Sequence, residues 1–323
     1  MKATKPSPEQ LYNLLNRAVE DVIVREELAK RLEKGERLRV YHGIDPTGPL
    51  LHIGHAVTLR KLRQFQDLGH EVILLIGDFT AQIGDPTGRT TERVPLTPEQ
   101  VKENAKNYQK QAAKILDFKS KENPVQVRFN SDWLAKLSFK EVVQLAMQFT
   151  VQQMIERDMF QVRLKDNKPI GLHEFLYPLM QGYDSVAMDV DLEVGGSDQL
   201  FNMLAGRDLI RNLKNKSKCV LTTPLLEGLD GRKMSKTYGN FVAVTDEPND
   251  MFGKVMSLRD ELITRYFEIC TDVSKMEINK IADEMKHGGN PRDSRPLGME
   301  ERSGPWRARL DHHPRRLHAG TCE

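Results

Sequence analysis

Residues 41–58, YHGIDPTGPLLHIGHAVT, decide how the rest of the chain is read. Leu38 to His42 closes an apolar, strand-like run, and Gly43 with Asp45-Pro46-Thr47-Gly48-Pro49 supplies turn chemistry. A helix then opens near His52. A strand, a turn and a helix in that order leave the first helical N–H groups unpaired at the positive end of the helix dipole, a natural seat for an anionic or phosphate-bearing ligand. Gly54 lies between His52 and His55 in the first turn. Its bare backbone lets a flat ring or a sugar lie close, and the imidazoles can donate to phosphate oxygens without adding a fixed charge. Two histidines at this spacing could also do no more than cap a helix. The stretches downstream decide between the two.

Glu71 to Phe79, EVILLIGDF, is the near-continuous apolar run of a parallel strand covered on both faces. The loop AQIGDPTGRTTER follows at what should be its carboxyl end, where open α/β sheets bind ligands. Asp85 is therefore a site candidate. Arg89 and Arg93 either reach phosphate or belong to a solvated loop face. In EFLYPLMQGYD, Tyr177, Gln181 and Asp184 fall at i, i+4 and i+7, one face of a helix. If that face is buried, its three polar groups need partners, and together they suit a small zwitterionic ligand. If it is exposed, it is an ordinary polar face.

VDLEVGGSDQLFNMLAGRDLI supplies a second strand, glycine turn and helix, as a doubly wound sheet with a nucleotide crevice requires. There Asp198 could hold ribose hydroxyls or cap the helix, and Gln199 could hold a carboxylate or carbonyl. Further on, GLDGRKMSKTYGN places Lys233 and Lys236 around Ser235 in a glycine-bearing loop. Such a loop can close over a ligand and bring ammonium groups to a polyphosphate as charge develops.

The remaining stretches frame these. Ser7-Pro8-Glu9-Gln10 starts a helix whose apolar positions are read as Leu11, Leu14, Leu15, Val19 and Val22; a second helix runs to about Lys34 and ends at Gly35. The helix after His52 stops at Gly69, and Thr97-Pro98-Glu99-Gln100 opens another that runs to Leu116. A strand is expected around Val125 to Phe129. Helices from Lys140 to Met159 carry Val142, Val143, Leu145, Ala146 and Met154 as a core or subunit-contact stripe. The region from about 120 to 170 reads as an insertion between two halves of the sheet.

At 323 residues the chain suggests two domains, and a net charge of +2 means that any nucleic acid is met by a local patch. Cys219, Cys270 and Cys322 form no CxxC pair, so neither a zinc site nor a disulfide framework follows. The opening MKATKPSPEQ lacks an apolar h-region and no run approaches a membrane span, which places the chain in the cytoplasm.

His52-Ile53-Gly54-His55 and Lys233-Met234-Ser235-Lys236-Thr237, in this order and on these elements, resemble the HIGH and KMSKS signatures of class I aminoacyl-tRNA synthetases. Thr237 replaces the last serine of the second. Within that class the chain is similar to the tyrosyl-tRNA synthetase family from about residue 35 to 293. The resemblance implies a Rossmann-like (HUP-type) catalytic domain over 1–243, with N-terminal helices at 7–34, and a following helical domain from 244 to 293. It implies that Tyr41 and Asp184 hold a substrate phenol, and that Tyr177, Gln181 and Asp85 hold its ammonium. Gln199 would then contact the carboxyl end, and Asp198 the ribose. Gly43 and Gly54 would lie against the nucleotide, with Thr47, His52, His55, Lys233, Ser235 and Lys236 handling phosphates.

The implied reaction is tyrosine–tRNA ligation, with L-tyrosine, ATP with Mg2+, and tRNA(Tyr) as partners, in a homodimer and without a protein-bound metal. The tryptophanyl branch would not need a Tyr41/Asp184 pair for a phenol. A non-catalytic relative would not need the histidines and lysines of the two signatures. After Asp293, the stretch SRPLGMEERSGPWRARLDHHPRRLHAGTCE loses helical periodicity and becomes rich in Arg, Pro and His. It is expected to be poorly ordered and not the family's native continuation, with the usual RNA-binding module lacking.

Overall fold

A computed structural model of the protein describes residues 3–87, 96–232, 234 and 238–289. The elements in chain order are α1 (Pro8–Asn16), β1 (Val22–Ile23), α2 (Arg25–Glu33), β2 (Arg39–Ile44), α3 (Ile53–Asp67), β3 (Glu71–Ile76) and α4 (Thr80–Ile83). There follow α5 (Pro98–Ala112), β4 (Gln126–Phe129), α6 (Ser131–Leu134), α7 (Phe139–Ala146), α8 (Val151–Ile155), α9 (Asp158–Lys165), α10 (Leu172–Met188) and β5 (Leu192–Gly196). Then come α11 (Leu200–Lys214), β6 (Cys219–Thr223), α12 (Pro248–Met256), α13 (Ile263–Cys270) and α14 (Lys275–Lys286). The chain divides into two compact units, Met1–Leu226 and Glu227–Glu323.

The six strands of the first unit lie in the order β1-β6-β5-β2-β3-β4. All neighbours are parallel except β1, which pairs antiparallel with β6. From β2 the chain steps outward through β3 to β4, then returns to the other side of β2 for β5 and β6. That reversal makes β2 and β5 the topological switch point, and their diverging carboxyl ends open a crevice. The expected Rossmann-like α/β sheet is therefore present. β2 and β3 run in register from Arg39–Glu71 to Ile44–Ile76; β3 is apolar and buried from Val72 to Ile76, and β2 is buried at Val40 and Tyr41.

Local chemistry explains the element ends. Ser7 and Thr97 build reciprocal capping boxes with Gln10 and Gln100, each followed by proline at the first helical position. Gly35 and Gly69 adopt the left-handed backbone that ends α2 and α3. One expectation needs correcting: Val19 and Val22 are not on the first helix. α1 ends at Asn16, Ala18 turns with φ 49°, and Val22 enters the edge strand β1. Apolar spacing carried past the end of α1 because a two-residue strand has no period of its own. Lys61 of α3 is buried and donates to the carbonyls of Asn13, Leu14 and Arg17, which fixes this end of α1. The segment read as an insertion begins with a strand of the sheet, β4, before the helices α6 to α9. The stretch 294–323 lies outside the described residues.

His70, fully buried immediately before β3, accepts the Leu38 N–H at Nδ1 over 3.2 Å. Burial first, then the Arg37 and Arg31 charges, lower its pKa from 6.5 to about 4. The unfolded chain therefore takes up this proton first, so stability is lost as pH falls from 6.5 towards 4. The gap converts to about 3–4 kcal/mol at most. Urea midpoints at pH 7 and 4.5 should show this loss in the native protein and a smaller one in His70→Asn; equal losses would remove His70 from the acid response.

Candidate active site

The carboxyl end of β2 turns through Asp45 into His52, the N-cap of α3. The His52 N–H donates to His55 Nδ1 at 3.1 Å, and the two rings lie tilted at 46° with centroids 3.8 Å apart. A neutral His55 accepting at Nδ1 carries its proton on Nε2, so that nitrogen is a donor. Gly54 sits between them in the first turn, with Thr47 exposed on the preceding turn and Gly43 at the end of β2. A helix start, a bare backbone and two imidazoles are thus brought together at the carboxyl end of β2.

Facing it, α10 presents Tyr177, Gln181 and Asp184 on one face as the spacing predicts, with Tyr177 and Asp184 buried. Every one of them has a partner. The Tyr177 hydroxyl donates to Asp45 Oδ2 at 2.7 Å, and Thr80 Oγ1 donates to Asp45 Oδ1 at 2.7 Å. Gly77 makes this possible, because a Cβ there would lie 2.0 Å from Asp45 Oδ1. Gln181 Nε2 donates to Glu193 Oε1 at 3.1 Å. Asp184 accepts from Trp133 Nε1 at 2.7 Å and from Asn130 Nδ2 at 3.3 Å.

Tyr41 in the middle of β2 is fully buried, and its hydroxyl shares a 2.9 Å hydrogen bond with Ser185 Oγ. Burial, reinforced by Glu193 and Asp184, pushes the Tyr41 phenol well above its ordinary value, and burial with Asp45 does the same to Tyr177. Both phenols therefore stay protonated donors. Burial also pushes the Asp184 carboxyl well above the usual range, against the pull of the Trp133 and Asn130 N–H groups.

A third group forms where the β3 loop meets the β5 turn. Asp85 Oδ1 accepts from the Thr87 N–H and hydroxyl, and Asp85 Oδ2 accepts from Gln199 Nε2 at 2.8 Å. Asn202 in turn donates to Gln199 Oε1 at 3.1 Å, and Arg157 Nη2 reaches Thr87 Oγ1 at 2.9 Å. Two residues separated by 114 positions are thus in direct contact. Asp198 stands beside Gln199 in the short helical turn Ser197–Gln199 that opens α11. Lys233, Ser235, Lys236, Arg89 and Arg93 lie outside the described residues.

Some members of this constellation were not singled out from sequence. Asp45 read as turn chemistry, yet it receives both Tyr177 and Thr80. Asn130 and Trp133 sit in the region read as an insertion, and they supply the donors that hold Asp184. Glu193, the acceptor for Gln181, looks like one polar break in an apolar strand. Of these, only Glu193 carried a usable signal: a carboxylate in the middle of a buried strand needs a partner.

A family model described as "tRNA synthetases class I (W and Y)" matches residues 33–304. The tyrosine–tRNA ligase of Coxiella burnetii is 50% identical over 91% of this chain and 73% of its own length. That of Thermotoga maritima is 51% identical over 89% of this chain and 71% of its own. Among solved structures, the tyrosyl-tRNA synthetase from Archaeoglobus fulgidus, crystallised with L-tyrosine, aligns with a TM-score of 0.71 at 27% identity, covering 90% of this chain and 93% of that one. A family match over most of the chain, together with half-identical relatives spanned for more than two thirds of their length, means that this chain belongs to the class I tRNA synthetases, in the tyrosyl-tRNA synthetase family.

Proposed function

We propose that this enzyme activates L-tyrosine with MgATP, forming tyrosyl-adenylate and pyrophosphate, and then transfers the tyrosyl group to tRNA(Tyr). The observation that supports the reading is that two polar groups are both buried beside the switch point of the sheet: the Tyr41 hydroxyl, bonded to Ser185, and the Asp184 carboxyl, held by Trp133 and Asn130. A phenol entering there meets one donor and one acceptor. The ammonium falls to Tyr177, Gln181 and Asp85, and the carboxyl end to Gln199. Asp198 takes the ribose, with Gly43 and Gly54 against the nucleotide.

The tyrosine carboxylate, already ionised, attacks the α-phosphate in line, so no side-chain nucleophile or base is required. Rate comes from positioning and from stabilising charge on the leaving phosphates. Thr47, His52 and His55, with Lys233, Ser235 and Lys236 of the second signature, carry that load. Magnesium enters as part of the nucleotide substrate. Tyrosine-dependent ATP–pyrophosphate exchange beside tRNA charging tests the reading: exchange with tyrosine, and none with phenylalanine or tryptophan, is expected. No exchange with any amino acid would end it.

The proposal includes a homodimer joined through the α7–α8 region. Phe139 is 83% exposed and Met147 76%, with Val151 and Leu172 also exposed, an apolar array that water disfavours. Sedimentation should give twice the 37.0 kDa chain mass. Phe139→Asp should return the monomer, and an unchanged dimer would move the contact elsewhere. Among the described residues no helix is long and apolar enough to cross a membrane.

A further inference from the structure

Lys218, immediately before β6, is completely buried, and no role above uses it. Its ammonium donates to Ser185 Oγ at 2.8 Å and pairs with Glu193 Oε2. An ammonium has three donors and no acceptor, so the direction of both bonds is fixed. Beyond them the network divides. Ser185 Oγ bonds the Tyr41 hydroxyl at 2.9 Å, and Glu193 Oε1 accepts from Gln181 at 3.1 Å. Both branches end on residues assigned to the amino acid.

The fold builds this junction deliberately. Tyr41 and Glu193 are register partners on neighbouring parallel strands, so their side chains leave the same face of the sheet. Above that face α10 brings Gln181 and Ser185 one turn apart. The neighbouring α11 leaves room for the ammonium by means of Gly206: a Cβ there would lie 2.6 Å from Lys218 Nζ and 2.7 Å from Ser185 Oγ. Burial holds the Lys218 pKa below its ordinary value, and Glu193 offsets only part of that pull.

We propose that Lys218 is a positioning residue for tyrosine selection, acting through Ser185 on the Tyr41 hydroxyl and through Glu193 on Gln181. The inference rests on the reading that Tyr41 and Asp184 receive the substrate phenol. A cation donating to Ser185 Oγ polarises the serine O–H, which donates onward to Tyr41 Oη. Tyr41 then keeps its own proton for the incoming phenol oxygen, and the phenol proton goes to Asp184. The hydrogen bonds run in one direction from Lys218 to Asp184 only when the ligand carries a hydroxyl. Phenylalanine leaves the Tyr41 proton and the Asp184 lone pairs unmet.

A merely structural ion pair would behave differently, because replacing both members of a buried pair with neutral groups of similar volume is often neutral for stability. The test uses the full chain in pyrophosphate exchange, with Lys218→Met/Glu193→Gln and, separately, Ser185→Ala, which leaves the ion pair intact. In the double variant the tyrosine KM should rise about tenfold or more and the tyrosine-to-phenylalanine kcat/KM ratio should fall by a similar factor, with the ATP KM within about twofold. Ser185→Ala should move the same two quantities in the same direction, by a smaller factor. Tyrosine KM and selectivity within about twofold of native in Ser185→Ala would overturn the proposal, as would equal rises in the tyrosine and ATP KM values in the double variant. If the native protein shows no exchange with tyrosine, the reading beneath the proposal fails first, and the proposal with it.

Discussion

Asp184→Asn should lower kcat/KM for tyrosine by about 10³ or more, about 4 kcal/mol of transition-state stabilisation, and leave the weak activity with phenylalanine nearly unchanged. The substitution keeps the shape of the side chain and removes its charge. Trp133 Nε1 and Asn130 Nδ2 both donate to the native carboxylate. An amide offers them one oxygen, so its NH2 must face either a donor or the substrate hydroxyl. In both orientations a buried polar group is left without a partner. Sites built to bond a substrate hydroxyl reject the analogue lacking it by about 10⁴–10⁵, a benchmark that comes from tyrosyl-tRNA synthetases themselves and not from this structure. Most of that factor should vanish in Asp184→Asn.

The pH dependence gives a second readout of the same group. Burial holds the Asp184 carboxyl well above the ordinary range, so as pH falls it becomes protonated earlier than a surface aspartate and ceases to accept the phenol proton. The native kcat/KM for tyrosine should therefore fall on acidification while the pH is still above the usual carboxylate range, and this limb should be missing in Asp184→Asn. A tyrosine-to-phenylalanine ratio within tenfold of native would place the phenol elsewhere.

What could be read from the chain beforehand follows the range of the interactions involved. The His52–His55 turn, the α10 face and the Gly195-Gly196 junction are local: period, capping and turn chemistry lie within one or two helical turns of sequence. The hydrogen bonds that make a pocket of them are not local. Tyr177 reaches Asp45 across 132 positions, Trp133 reaches Asp184 across 51, and Gln199 reaches Asp85 across 114. Periodicity says that Asp184 faces inward; it cannot say that an indole from a segment read as an insertion will meet it there. The antiparallel strand β1 escaped for a related reason, since two residues, Val22 and Ile23, gain strand character only from Leu221 and Val220. Lys218 was illegible in another way: a lysine beside a strand is ordinarily a surface charge.

Arg163→Met should destabilise the first unit by about 3–5 kcal/mol, a large share of the roughly 5–15 kcal/mol that holds a domain folded. Arg163 on α9 and Glu174 on α10 are both almost wholly buried and meet as a two-pronged pair, Nη1 to Oε2 at 2.6 Å and Nη2 to Oε1 at 2.8 Å. The guanidinium also donates twice to the Pro169 carbonyl. Glu174 Oε1 in turn accepts the Gly171 N–H at the start of α10. Burial alone would raise the Glu174 pKa, but the Arg163 and Gly171 hydrogen bonds outweigh it and hold the carboxyl below its ordinary value. Removing the arginine strands that carboxylate in an apolar setting.

Arg163→Met/Glu174→Gln should recover most of the loss, because no charge remains and the amide oxygen still accepts from Gly171. Urea unfolding of the two variants checks the sign, and a double variant as unstable as the single would show that packing of the arginine stem, not its charge, is what matters. The consequence for function follows from the same helix. α10 begins at this ion pair and carries Tyr177, Gln181 and Asp184 within its next three turns. If the start of α10 loosens, all three move together. The tyrosine KM of Arg163→Met should therefore rise even under conditions where the protein remains folded, and the double variant should bring it back towards the native value.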